Sequence, residues 1–341
     1  MQLARRAAAA VLTLAMAVTA VGIPTPAGAT VTLTDRVSWA AGYISATQRV
    51  NGSIPAFSTV GSTADAVVSL VAARRGPQNI KFAMRYLGKR VAADDYQVGP
   101  SEVIGVQAKI VLAAVASGRD PHDFGGHDLV QTLLGSEQSD GRYGATSAVF
   151  NDATAMLALE AAGVTPSSKA RAWLIAGQCG DGGWAYDQPP QPNDDSHCTD
   201  TIDPPSDYFP TDTNTTSLAV QALSNFNGAQ PAVDPFTFFD AARDGSAGWG
   251  YSLYYSTDAN STSMVIQAYA ATSTPLPAGA MTALKALQYK FCGGFKYSND
   301  PWVTGPDVGS TSAAILGLLR KPLPVMPATV TQPATAPIGC P

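Results

Sequence analysis

The chain has 341 residues, 45% of them hydrophobic, and a net charge of −5 from 26 acidic and 21 basic side chains. The acidic balance, with no basic stretch, excludes a nucleic-acid surface. No apolar run in it makes a good membrane span, and the length suits one large domain or two small ones.

Residues 1–29 read as a secretory signal. Arg5 and Arg6 supply the positive start, Ala7 to Val21 the apolar centre, and Ala27-Gly28-Ala29 the small-residue cleavage site. The two arginines also admit a twin-arginine export route, which the surrounding residues support poorly. A secreted, monomeric protein is expected, with the main domain over 30–320 and a Pro/Thr-rich tail over 321–341. The four cysteines are Cys179, Cys198, Cys292 and Cys340. An even number in an exported chain points to disulfides, with three pairings open. Proximity and loop placement favour Cys179–Cys198 and Cys292–Cys340. Zinc is disfavoured, because His122, His127 and His197 are the whole histidine supply and no Cys-x-x-Cys occurs.

Taken in order, the chain reads as twelve helices. The first spans 34–48, and the second starts near Ser62 and runs apolar to Ala73. Pro77 opens the third, where Ile80, Ala83, Met84 and Leu87 fall on one helical face. The fourth lies between Pro100 and Gly118. Leu129, Val130, Leu133 and Leu134 mark the fifth. The sixth starts at Asp152 and stops at Gly163, and the seventh runs from Pro166 to Gln178. The eighth covers 214–226. Asp234-Pro235 is a cap followed by proline at the first helical position, and it opens the ninth. The tenth begins at Asp258, the eleventh spans about 278–288, and the twelfth follows Asp307 and ends at Arg320. No strand pattern stands out.

These helices pair into six hairpins. First members are amphipathic, as in Lys169 and Arg171 beside Trp173, Leu174 and Ile175. Second members are apolar nearly all round, as in Ser263 to Tyr269. A helix apolar on every side is buried, and a striped one faces solvent. An all-α fold with an inner ring of six helices and an outer ring of six follows, a six-hairpin α/α toroid.

The turn Gln178-Cys179-Gly180-Asp181-Gly182-Gly183-Trp184 recurs in weaker copies. With Thr63, Thr154, Thr216, Thr262 and Thr311 at matching places in the inner helices, it resembles the repeat of squalene and terpene cyclases and of protein prenyltransferase β subunits. The resemblance covers nearly the whole chain after the signal and implies an α/α toroid. Type II cyclases carry an Asp-x-Asp-Asp segment at an inner-helix start. The matching places here read Asp212-Thr213-Asn214-Thr215 and Asp258-Ala259-Asn260-Ser261. An amide stands where the proton-donating acid would be, and an amide is no such acid. Whether the chain is an enzyme is therefore open at this point.

The long links all run from a first to a second helix, which places them at one mouth of a toroid, where loops carry function. Asp152, Asp212, Asp258 and Asp307, with Asn214 and Asn260, sit at inner-helix starts around that mouth. They are candidate ligand-binding residues, and helix capping is the competing reading. Tyr143, Trp184, Trp249 and Phe295 follow successive turns, and wedging between hairpins is favoured over ligand contact for them. Trp302 stands outside this series and is a further ligand candidate. A small molecule or a glycan is the expected ligand. Secreted cobalamin carriers resemble the arrangement but add a β domain for which this chain has no room. A terpene cyclase-like or glycan-active enzyme on the same scaffold is the alternative. The segment from Cys179 to Asp212 holds eight Asp and no Lys, Arg or Glu. A solvated acidic loop is one reading, as no EF-hand spacing is present; Ca²⁺ is the candidate counter-ion in the other, with Asp194, Asp195 and Asp200 as candidate ligands.

Overall fold

The computed structural model describes residues 31–96, 103–187, 198, 211–224, 226, 228 and 230–335. Twelve α-helices occur among them: α1 (Leu33–Thr47), α2 (Thr59–Ala73), α3 (Pro77–Ala92), α4 (Val103–Ala116), α5 (Leu129–Gly135), α6 (Val149–Ala161), α7 (Ser168–Ala176), α8 (Thr213–Ser224), α9 (Pro235–Ala241), α10 (Ala259–Ala271), α11 (Ala280–Ala286) and α12 (Val308–Leu319). The starts follow local chemistry. Thr32 and Asp35 form a capping box at α1, and Ser167, Asp234, Asp258 and Asp307 cap α7, α9, α10 and α12 through their side chains.

The even-numbered helices close a ring. α2 packs on α4, α4 on α6, α6 on α8, α8 on α10, α10 on α12, and α12 returns to α2. Around it, α1 packs on both α12 and α2, α3 on α2 and α4, and α5 on α4 and α6. α11 lies against α10 and α12, while α7 packs on α6 and α9 on α8. This is the expected α/α toroid. The ring helices are buried nearly throughout because their residues are small or apolar. A Cβ on Gly317 would sit 2.8 Å from the Ser263 Cα, so α10 and α12 touch backbone to backbone there.

Two features depart from expectation. Among the described residues there are two short antiparallel pairs, β1 (Trp184–Ala185) with β2 (Thr211–Asp212) and β3 (Phe295–Lys296) with β4 (Pro306–Asp307). Each has two residues per strand, too short for a period-2 pattern to register in sequence. They pin the two ends of a long link together at the ring. The second feature is the tail. Leu323 N–H donates to Oε1 of buried Gln221 near the end of α8 at 2.9 Å, and Gly76 N–H donates to Gln332 O at 2.9 Å between α2 and α3. The segment 321–335 therefore runs across the end of the ring opposite the inner-helix N-termini.

Candidate functional site at the mouth and axis of the ring

The recurring turn proves to be the joint between hairpins. Gln178 donates through Nε2 to Gly182 O and to Val233 O, and accepts Val233 N–H at Oε1. It thereby clamps its own turn to the approach of α9. Gln48 grips Gly52 and Asn79 in the same way, and Gln288 grips Gly293 and Arg36, which closes the last hairpin on the first. Gly182 has φ +96°, and a Cβ there would meet Asp234 O at 2.8 Å, so glycine is required. The repeated threonines complete the joint. The hydroxyls of Thr63, Thr216, Thr262 and Thr311 accept the backbone N–H of Ile54, Trp184, Trp249 and Phe295 at 2.8–3.0 Å. In the third hairpin Asp152 takes this place, accepting Tyr143 N–H, while Thr154 bonds back to Phe150 O.

Tyr143, Trp184, Trp249 and Phe295 are buried wedges. The indole N–H of Trp184 reaches Leu174 O, and that of Trp249 reaches Phe239 O, both at 2.7 Å. The aromatics two residues further on differ. Tyr186, Tyr251 and Tyr297 are half-buried, and each backbone carbonyl accepts the first N–H of an inner helix, at Val149, Thr213 and Ala259. Their rings continue into the rim. Tyr251 packs on Tyr255 at 5.8 Å, and Tyr297 on Trp302 at 6.2 Å. Trp302 is 69% exposed.

The acids divide into two kinds. Asp258 and Asp307 cap their helices fully, each accepting a serine N–H at one oxygen and the same serine's hydroxyl at the other, from Ser261 and Ser310. Asp307 is exposed and Asp258 is buried. Burial pushes Asp258 up to about 6, against the opposing pull of its Ser261 bonds. Asp212 accepts Thr215 N–H at Oδ1, and burial raises it to about 7. Its Oδ2 has no hydrogen-bond partner of good geometry among the described residues, and the Tyr251 phenol stands beside the carboxyl and pulls its pKa back down. Asp152 lies inside the first turn of α6 and not at its cap, which is the backbone of Ala148. Burial raises Asp152 to about 8, and its Oδ2 is likewise unpartnered among the described residues. Asn214 is half-buried, and its side-chain carbonyl oxygen has no hydrogen-bond partner among the described residues.

Along the ring axis lies a cavity of about 240 Å³. All six ring helices line it: Asp65 and Val68 from α2, Lys109 and Leu112 from α4, Phe150 and Thr154 from α6, Leu218 from α8, Asn260, Met264 and Gln267 from α10, and Ser312 and Leu316 from α12. Phe150, Asn260 and Gly309 lie at its upper end, near the helix starts. Leu323 of the tail lies at its lower end, so the cavity is a well with a floor. Phe150 also stacks on Tyr186 of the mouth, with ring centroids 6.0 Å apart.

Of the residues singled out in the sequence, Asn260 lines the well. Asp212 and Asp258 stand with Tyr251 and Tyr297 at the mouth, and Trp302 extends that rim. Asp152 bonds into the third turn, and Asp307 caps α12 at the surface. Asp194, Asp195 and Asp200 lie outside the described residues. Among the described residues no group of three His, Cys, Asp or Glu side chains could hold a metal ion. The disulfide Cys179–Cys198 is present. Cys292 is also disulfide-bonded, and Cys340 lies outside the described residues. The sequence reading missed Asp65 and Lys109, whose carboxylate and ammonium meet at 2.8 Å in the wall of the well.

No protein-family model and no curated protein sequence matches the chain. Solved structures do. The chain is similar to type II terpene cyclase MstE from Scytonema, with a TM-score of 0.58 and 13% identity over 84% of this chain and 98% of the cyclase. A protein from Actinoplanes gives 0.56 and 13% over 85% of this chain and 99% of its own. A glycosidase variant in complex with glucose gives 0.52 and 14% over 85% and 97%. At such identities the likeness is one of fold, and it is the α/α toroid.

Among the described residues no helix is long and apolar enough to cross a membrane.

Proposed function

We propose that this protein is an exported, monomeric toroid that binds one small molecule or the end of a glycan in the axial well, entered from the mouth that bears Tyr251, Tyr297 and Trp302. The observation that carries this reading is the well itself. Six helices converge on it, apolar side chains form most of its wall, and a few polar groups project at fixed places. That combination is the usual character of a small-molecule site. Its volume of about 240 Å³ falls below the ~300–1,000 Å³ of drug-sized sites, which favours a ligand of monosaccharide size over an extended isoprenoid. The disulfide between Cys179 and Cys198 supports an oxidising compartment. Calorimetric titration with a panel of sugars and short isoprenoid alcohols, on the protein and on a well-filling Met264→Trp variant, tests this. Binding that survives the variant removes the well from the account.

A second reading rests on Asp212 and Asp258. A carboxyl held near neutral pKa beside a phenol is suited to donating a proton. A type II terpene cyclase and a glycosidase are among the neighbours that share this fold. Release of nitrophenol from nitrophenyl glycosides, lost in Asp212→Asn or Asp258→Asn, would establish it. No turnover with the panel, alongside intact binding, would leave a binding protein.

A further inference from the structure

The two charges in the well are poorly explained by folding. Asp65 and Lys109 stand on neighbouring ring helices, and their side chains are 44% and 28% exposed. So open a pair stabilises little. Val68 and Leu112, about one turn further along the same helices, line the wall without charge, so the fold does not demand ions at these places. Both groups also have capacity left over. Lys109 uses one of its three N–H donors, on Asp65, and no bond involves Asp65 Oδ1 among the described residues. The pair therefore presents donors and acceptors side by side, with no net charge, to the space on the axis. A further polar group faces the same space. Ser312 of α12, the helix next to α2, is 3% exposed, and its hydroxyl has no hydrogen-bond partner among the described residues.

We infer that Asp65 and Lys109 form the recognition point for a vicinal diol of a neutral polyol, a sugar or cyclitol ring. This rests on the reading of the well as the ligand site. A hydroxyl both donates and accepts. Of two adjacent hydroxyls, one donates to Asp65 and the other accepts from Lys109, and the bridge spans the ion pair without breaking it. Ser312 and Asn260 bond hydroxyls further round the ring. The apolar C–H face of the ring lies on Val68, Leu112 and Met264. A simple anion is repelled by Asp65 and a simple cation by Lys109, so the pair selects for neutrality as well as for geometry. A site that bonds hydroxyls in this way rejects an analogue lacking them, because its polar groups are then left unpaired.

The test is isothermal titration of the full-length exported chain with myo-inositol and D-glucose as vicinal diols, cyclohexanol as a ring without one, and L-alanine as a zwitterion. At least one polyol is expected to bind saturably, and at least tenfold more tightly than cyclohexanol or L-alanine. Lys109→Met and Asp65→Asn, each checked for wild-type circular dichroism, should weaken polyol binding by about 10- to 100-fold, the loss of one hydrogen bond to a charged partner. Met264→Trp should abolish binding of every probe. If both charge variants keep wild-type polyol affinity while Met264→Trp abolishes it, the well stands and the diol inference falls. L-alanine binding more tightly than the polyols, or cyclohexanol binding as tightly, overturns the inference in the same way. Polyol binding that is untouched by Met264→Trp overturns both, as does saturable binding by none of the probes.

Discussion

The hydroxyl of Thr216 accepts the backbone N–H of Trp184 at 2.8 Å, and both residues are fully buried. One hydrogen bond thus joins the turn after an outer helix to the first turn of its inner partner. Thr262 with Trp249 and Thr311 with Phe295 repeat it. The bond satisfies an N–H that the wedge carries into the interior, where water cannot reach. Thr216→Val keeps the shape and removes the acceptor, which should cost about 1–3 kcal/mol in urea unfolding. Thr216→Ser keeps the acceptor and should lose roughly 1 kcal/mol or less, the worth of a methyl. An unchanged Thr216→Val beside a destabilised Thr216→Ser would show that the methyl, not the hydroxyl, matters.

The buried acids make stability depend on pH in an unusual direction. Asp258 and Asp212 are raised from 3.8 to about 6 and about 7 in the folded protein. Between the unfolded and folded values the native state holds more protons, so stability falls as pH rises. The contribution is complete below pH ~4, declines through pH 6 to 7, and is lost above that. Asp212→Asn should flatten the slope of unfolding free energy between pH 4.5 and 7.5, and Asp258→Asn should do so at lower pH within that range. A wild-type profile that rises with pH across this window, unchanged in the variants, would contradict the assignment.

The fold was legible because its joints repeat. The Gln-x-x-Asp-Gly-x-aromatic turn and the threonine of the next helix are one mechanical unit, and a repeated contact leaves a repeated sequence. The contrast between striped and all-apolar helices reflects two rings with different surroundings. Less was legible at the site. Asp152 reads as a cap, but α6 begins at Val149, three residues earlier, and the carboxylate bonds the turn where the other hairpins use threonine. Asp65 and Lys109 each look like a lone polar residue on an apolar helix. Only closure of the ring sets α2 beside α4 and turns both toward the axis, and that neighbourhood has no local signature.

The tail should contribute to the ring. Ending the chain before Lys321 removes the Leu323 N–H bond to Gln221 and the Gly76 N–H bond to Gln332, and it takes the floor from the well. Thermal unfolding should shift down, with about 0.5–1.5 kcal/mol lost per hydrogen bond and more from the apolar core uncovered when buried Val325 is removed. A truncated chain with an unchanged midpoint would mean that the tail only rests on the surface.

The disulfide closes a loop with a sequence separation of 19 between Cys179 and Cys198. Replacing both cysteines by alanine should cost about 3 kcal/mol on the chain-entropy account. A digest without reductant should yield the two peptides joined, and Cys292 joined to the peptide carrying Cys340. A paired loss well under 1 kcal/mol would place the effect elsewhere, with a loop already ordered in the unfolded chain.

The central claim is that ligand lies on the ring axis. A crystal structure of the protein soaked in myo-inositol addresses it most directly. The predicted result is a ring seated in the well between Lys109 and Met264, with hydroxyls on Asp65 and Lys109 and its C–H face toward Leu112. A ring bound only at the outer rim, against Tyr255 or Trp302, with the well holding nothing but water, would contradict it.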